Sequence, residues 1–116
     1  MDCIFCKIVD GAIPSNKVLE TDTVLAFHDI QPAAPVHVLL IPKRHIATMN
    51  DVGPDDAAVI GDIALAAQQV AETLGIRDRG YRLVNNCNDE GGQVVYHLHF
   101  HLLGGERLGP ILGSKS

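Results

Sequence analysis

The sequence predicts an α+β fold built on an antiparallel sheet, and three observations carry that expectation. Short runs of strand type stand on both sides of one long segment with helical periodicity. That segment has start and stop signals at its two ends. Near the C-terminus, a second group of strand-type runs completes the order strands, helix, strands, which favours an α+β arrangement.

Element by element, Ile4-Phe5-Cys6-Lys7-Ile8-Val9 reads as one or two helical turns, stopped by Gly11 and Pro14. Strands are expected near Val18–Glu20 and Val24–His28, separated by the turn-like Thr21-Asp22-Thr23. Pro32 and Pro35 punctuate a loop before Val36–Ile41, a β-branched apolar run closed by Pro42. From Asp55 to Leu74, Ile60, Ile63, Ala67, Val70 and Leu74 recur at helical spacing. Pro54 suits the first helical position, Asp55 and Asp56 the positive end of the dipole, and Gly75 the stop. Tyr81–Asn85 and Val94–Leu103 are the remaining expected strands, joined by a loop rich in Asn, Asp and Gly.

One domain covering 1–116 fits the length. The net charge of −5 argues against a nucleic acid polymer as partner, which needs a clustered basic face. Lys43-Arg44 and Arg77/Arg79 are too scattered to form one, so any anionic ligand is expected to be small and held locally. Val38 to Ile41 is far too short an apolar run to cross a membrane, and the first residues lack a signal-peptide pattern. A cytoplasmic location follows as the expectation. There Cys3 and Cys6 are reduced, and their spacing reads as a metal pair rather than a disulfide.

The most informative segment is Tyr96-His97-Leu98-His99-Phe100-His101-Leu102-Leu103. On a strand, side chains alternate between faces, so His97, His99 and His101 share one side, roughly 6–7 Å apart in succession. Leu98, Phe100 and Leu102 then point toward the core. Imidazole titrates near neutrality, so such a row can supply a nucleophile, a proton donor and a metal ligand. A purely metal-binding strand is the competing reading, but three ligands on one straight strand converge poorly on a tetrahedral ion. Half of the chain's six histidines fall within five residues, which also argues against a chance alternation.

The His-x-His-x-His segment followed by two apolar residues, His97 through Leu103, resembles the signature of the histidine triad (HIT) superfamily, and the whole chain resembles its Hint branch. Ile4–Ile8, Ala26–Ile30, Val38–Lys43, Gly91-Gly92-Gln93 and the tail Gly104–Pro110 carry the likeness further. The resemblance implies a HIT fold, an antiparallel sheet of about five strands with one long helix and a short N-terminal helix. It also implies hydrolysis of purine nucleoside 5′-phosphoramidates to the nucleoside monophosphate and an amine. His99 takes the nucleophile's place in it, forming a nucleotidyl-histidine that water hydrolyses. His101 falls where phosphate binding and proton traffic are handled, and His37 beside His99.

By the same resemblance Asp29 holds the ribose hydroxyls, with Ile30 against the base and Ile4, Phe5, Ile8 and Phe27 as apolar walls. Read alone, Asp29 could equally be a turn residue and the phenylalanines ordinary core. Asn86, Gly92, Gln93 and Val94 match positions around the phosphate and leaving group, where a glycine backbone can approach an oxyanion closely. Several relatives carry serine where Val94 stands, and valine cannot donate a hydrogen bond. Two further ligands for Cys3 and Cys6 are implied at His45 and His97, making a structural zinc site that the chemistry does not require. A homodimer is implied too, with the small-residue helix face Ala64, Ala67 and Ala71 open to a second chain. Dinucleoside polyphosphate hydrolysis, nucleotidyl transfer, or a nucleotide-binding regulatory module are the alternatives.

Overall fold

The computed structural model describes residues 3–113. A short helix α1 (Ile4–Val9) leads into strands β1 (Lys17–Glu20), β2 (Val24–His28) and β3 (Val36–Pro42). Helix α2 (Ala57–Thr73) and strands β4 (Tyr81–Asn85) and β5 (Phe100–Gly104) complete the order. The five strands form one sheet ordered β1-β2-β3-β5-β4, and every neighbouring pair is antiparallel.

The pleat divides the core in two. Val24 and Ala26 of β2, Val38 and Leu40 of β3, and Leu102 of β5 face α2, which presents Ile63, Ala66, Ala67, Val70 and Ala71. Leu25, Phe27, Leu39 and Ile41 face the other way and pack on Cys3, Phe5 and Ile8 at the start of the chain. Because both faces of β2 and β3 are covered, these strands read as continuous apolar runs rather than as alternation. Each fully buried Leu or Ile, such as Leu25, Leu40, Ile63 and Leu102, contributes about 1.5–3 kcal/mol by leaving water.

Helix α2 begins two residues later than its periodicity suggested, because Pro54–Asp56 forms a 3-10 turn. Asp56 accepts the Gly53 N–H at 3.1 Å and pairs with Arg44. The helix ends on Gly75 at φ +75°, with Ile76 N–H donating to Ala71 O at 2.9 Å and Gly75 N–H to Glu72 O at 3.2 Å. That pair of bonds requires the left-handed residue glycine supplies. Of the three alanines expected to offer a face to a second chain, Ala67 and Ala71 are buried under this chain's own sheet and only Ala64 is exposed.

The last strand is much shorter than expected. It begins at Phe100, not at Val94, because the segment before it has no strand to pair with. Its backbone groups are taken up elsewhere: Leu98 N–H donates to Ile46 O at 2.6 Å. Asn85 Nδ2 donates to His99 O at 3.0 Å, and Gln93 Nε2 to Val95 O at 3.1 Å. Of the three alternating histidines, only His101 lies in the ladder. Among the described residues no helix is long and apolar enough to cross a membrane.

Candidate active site

On the α1 side of the sheet lies a cavity of about 520 Å³, within the range of small-molecule sites. Phe5, Ile8, Phe27, Asp29, Ile30, Asn86, Gly92, Val94, His99 and His101 all line it, as does Ile4. Phe5 stands edge-on to Phe27 at 5.7 Å between ring centroids and to His99 at 5.2 Å, so one ring joins the apolar wall to the histidines. Ile30 is 95% exposed, a free apolar side chain at the rim rather than a core residue.

The hydrogen bonds fix how each histidine is oriented. A carbonyl only accepts, so His99 Nδ1, 2.8 Å from His97 O, carries a proton, and the tautomer this bond selects leaves Nε2 bare. The Ala33 N–H donates to His37 Nδ1 at 3.0 Å, which leaves the His37 proton on Nε2. His37 Nε2 is 2.8 Å from His101 Nδ1 and donates to it, so His101 carries its own proton on Nε2. The His99 and His101 ring centroids are 5.1 Å apart. A nitrogen lone pair and an N–H donor are thus held side by side.

Burial keeps the supporting rings neutral. Desolvation, then the neighbouring His99 and His37, lower the His101 pKa to about 4, against the pull of Asp29. Desolvation lowers that of His37 as well, opposed by the Asp29 carboxylate. His37 lies behind His101 rather than on the cavity wall. Asp29 does two things: Oδ1 accepts the Gln31 N–H at 2.8 Å in a local turn, while Oδ2 lies 3.5 Å from His37 Nε2.

Gln93 is set apart from the cavity. It is buried, its Oε1 accepts the Asn88 N–H at 2.9 Å, and its Nε2 donates to Ala47 O at 2.8 Å and to Val95 O. Its amide braces the loop instead of facing a ligand. The glycine pair also differs from expectation: Gly92 N–H donates to Asp89 O at 2.9 Å and is not open to an oxyanion. Gly91 is required by packing, since a Cβ there would lie 2.3 Å from Cys87 O. Val94 is 87% exposed at the cavity's edge.

Sequence reasoning passed over Ile13, Pro14, Ser15, Asn16, His28 and Leu39, which also line the cavity. Pro14 was legible only as a stop signal, and Leu39 only as one residue of a strand. His28 had no neighbouring pattern to distinguish it from a surface histidine.

Beside the cavity, Cys3, Cys6, His45 and His97 converge, with their ligand atoms all within 4.8 Å of one another. Cys3 Sγ is 3.3 Å from His97 Nδ1, and Cys6 Sγ is 3.3 Å from His45 Nδ1 and 3.6 Å from His97 Nδ1. Metal–ligand bonds of zinc length put tetrahedral edges at about 3.3–3.8 Å, so the donor set fits such an ion. His97 Nε2 donates to Pro42 O at 2.8 Å, which turns the Nδ1 lone pair toward the sulfurs, as outer-shell carbonyls do at metal sites. Desolvation, and after it Cys3, push the Cys6 thiol up to about 11, so holding Cys6 as a thiolate calls for a cation.

The HIT domain family matches residues 10–108. The purine nucleoside phosphoramidase of Escherichia coli (strain K12) is 48% identical over 114 residues, covering 98% of this chain and 96% of that protein. A HIT family hydrolase from Legionella pneumophila Philadelphia 1 superposes with a TM-score of 0.93 at 50% identity, covering 97% of this chain and 100% of that one. A histidine triad protein from Clostridium difficile gives 0.92 at 44% identity, covering 95% and 96% of the two chains. With a family match over residues 10–108 and relatives at 44–50% identity across nearly the whole chain, this chain belongs to the HIT family.

Proposed function

We propose that this chain hydrolyses purine nucleoside 5′-phosphoramidates to the nucleoside monophosphate and an amine, with His99 as the nucleophile. The observation that carries the reading is the bare Nε2 of His99, held by the Nδ1 bond to His97 O at the wall of a cavity that is apolar at one end. The base enters the slot between Phe5, Ile8 and Phe27, with Ile30 over it, and Asp29 takes the ribose hydroxyls. His99 Nε2 bonds to the α-phosphorus while the P–N bond breaks. The departing nitrogen needs a proton; the neutral His101 hydrogen-bonds at that edge through its Nε2–H, and water at the open side of the cavity supplies the proton. Water then opens the nucleotidyl-histidine: its hydroxyl goes to phosphorus, its proton replaces the one the solvent gave up, and His99 Nε2 is bare again. His37 acts through His101, fixing its tautomer. Asn86 and Val94 border the leaving group, and Gly92, at φ +83°, turns the loop along the same edge.

The name of the Escherichia coli relative supports the same substrate class. Incubating the protein with adenosine phosphoramidates and dinucleoside polyphosphates tests it. Faster turnover of the phosphoramidates is expected; faster turnover of the polyphosphates, or none beyond spontaneous hydrolysis alongside AMP binding, contradicts it.

Zinc at Cys3, Cys6, His45 and His97 is part of the proposal. All four positions are protein ligands, so the ion supplies folding energy, tying α1 to the segment two residues before His99. So is a homodimer in the cytoplasm. Edge strand β4 exposes Leu83, and α2 exposes Leu65, at 58%. These supply the apolar contact surface that Ala67 and Ala71 do not. Light scattering is expected to give twice the chain mass at micromolar concentration, and a monomer rejects the dimer.

A further inference from the structure

The apolar slot by itself explains shape but not chemical selectivity, because any flat bicyclic ring fits against its apolar walls. One polar atom stands out there. Ser15 Oγ is, among the described residues, the buried side-chain N or O atom without a hydrogen-bond partner. Leaving a hydroxyl so placed is costly, and native chains rarely do it without a reason. Ser15 also lines the cavity, in the stretch Ile13-Pro14-Ser15-Asn16 beside Phe27 and Ile8. It is held there: His28 N–H donates to Asn16 O at 2.9 Å, tying this stretch to the end of β2, next to Asp29.

We propose that Ser15 is a specificity-determining residue whose hydroxyl hydrogen-bonds the polar edge of the purine. This rests on the reading of the cavity as a nucleotide site. Rotation about the single Cα–Cβ bond swings Oγ without moving the pinned backbone. A hydroxyl both donates and accepts, so it can meet a nitrogen, an exocyclic amine or a carbonyl oxygen of the purine's six-membered ring. The base then pairs the orphaned hydroxyl, while a ring of the same shape whose six-membered ring carries no polar atom leaves it unpaired. Discrimination of this kind arises because the site's own buried polar group is left unsatisfied by the wrong ligand.

The test is binding of AMP, GMP and benzimidazole riboside 5′-phosphate, which lacks heteroatoms in its six-membered ring, to wild type and to S15A. Wild type is expected to prefer the purine nucleotides, and S15A to lose about 3- to 10-fold of purine affinity with the benzimidazole nucleotide unchanged. S15A is expected to melt no lower than wild type without ligand, since no protein hydrogen bond is removed. S15T, which keeps a hydroxyl, retains the preference, and S15G repeats the test should S15A fold poorly. An unchanged preference in S15A or S15G overturns the proposal while leaving the nucleotide site standing. Failure of wild type to bind any of the three overturns the nucleotide reading and this inference together.

Discussion

Acid destabilises this chain through His101, by an amount that follows from its surroundings. The ring titrates at 6.5 in a free chain and at about 4 in the folded protein, where desolvation opposes the charged form. A histidine whose folded pKa is depressed contributes fully above the unfolded value, and that contribution is lost as pH falls from there toward the folded one. Between pH 8 and pH 5 the unfolded state takes up nearly one proton that the native ring refuses. The integrated loss is about 2 kcal/mol, and residual water contact of the ring brings it to about 1–2 kcal/mol. Urea denaturation of wild type and His101→Gln at the two pH values measures it. Loss of the His37 bond lowers the variant's stability at both pH values, so the diagnostic is the difference between the two slopes. Wild type is expected to lose about 1–2 kcal/mol more than His101→Gln between pH 8 and pH 5. Equal losses refute the argument that burial holds this ring neutral.

Two further outcomes are expected. Purified wild type carries about one zinc per chain, and Cys3→Ser combined with Cys6→Ser loses the metal and melts at a lower temperature; elemental analysis and a melting curve check both, and full stability with no metal in wild type rejects the site. Val94→Ser raises kcat/KM about two- to tenfold for poor leaving amines with little change for good ones, because Val94 is open at the cavity edge and a hydroxyl there gains a hydrogen bond. A rate series over amines of graded basicity decides it, and an equal fall for every amine contradicts it.

Local signals made much of this fold legible. The period of α2, its glycine stop and the strand Tyr81–Asn85 follow from residue types whose preferences agree with the tertiary contacts. The strand expected from Val94 was not legible because Val94-Val95-Tyr96 has the propensity for one but no partner strand, and propensity yields to pairing. His97 and His99 therefore owe their positions to loop bonds, from Pro42 O and from the His97 carbonyl, that no alternation pattern describes. The convergence of Cys3 and Cys6 on His45 and His97 came from resemblance; spacing alone supplied only the two cysteines. Gln93 sits in a matched motif, yet its amide is spent on three backbone groups, a role invisible without the loop's path. Ser15 gave no signal because an orphaned hydroxyl exists only once its surroundings are known.

The account turns on covalent chemistry at His99, and mass spectrometry of stopped reactions tests that most directly. Wild type mixed with an adenosine phosphoramidate and quenched early is expected to carry a nucleotidyl group on His99. His99→Asn is expected to bind the nucleotide, form no adduct and release no amine. Normal turnover in His99→Asn, or an adduct on another histidine, contradicts the account.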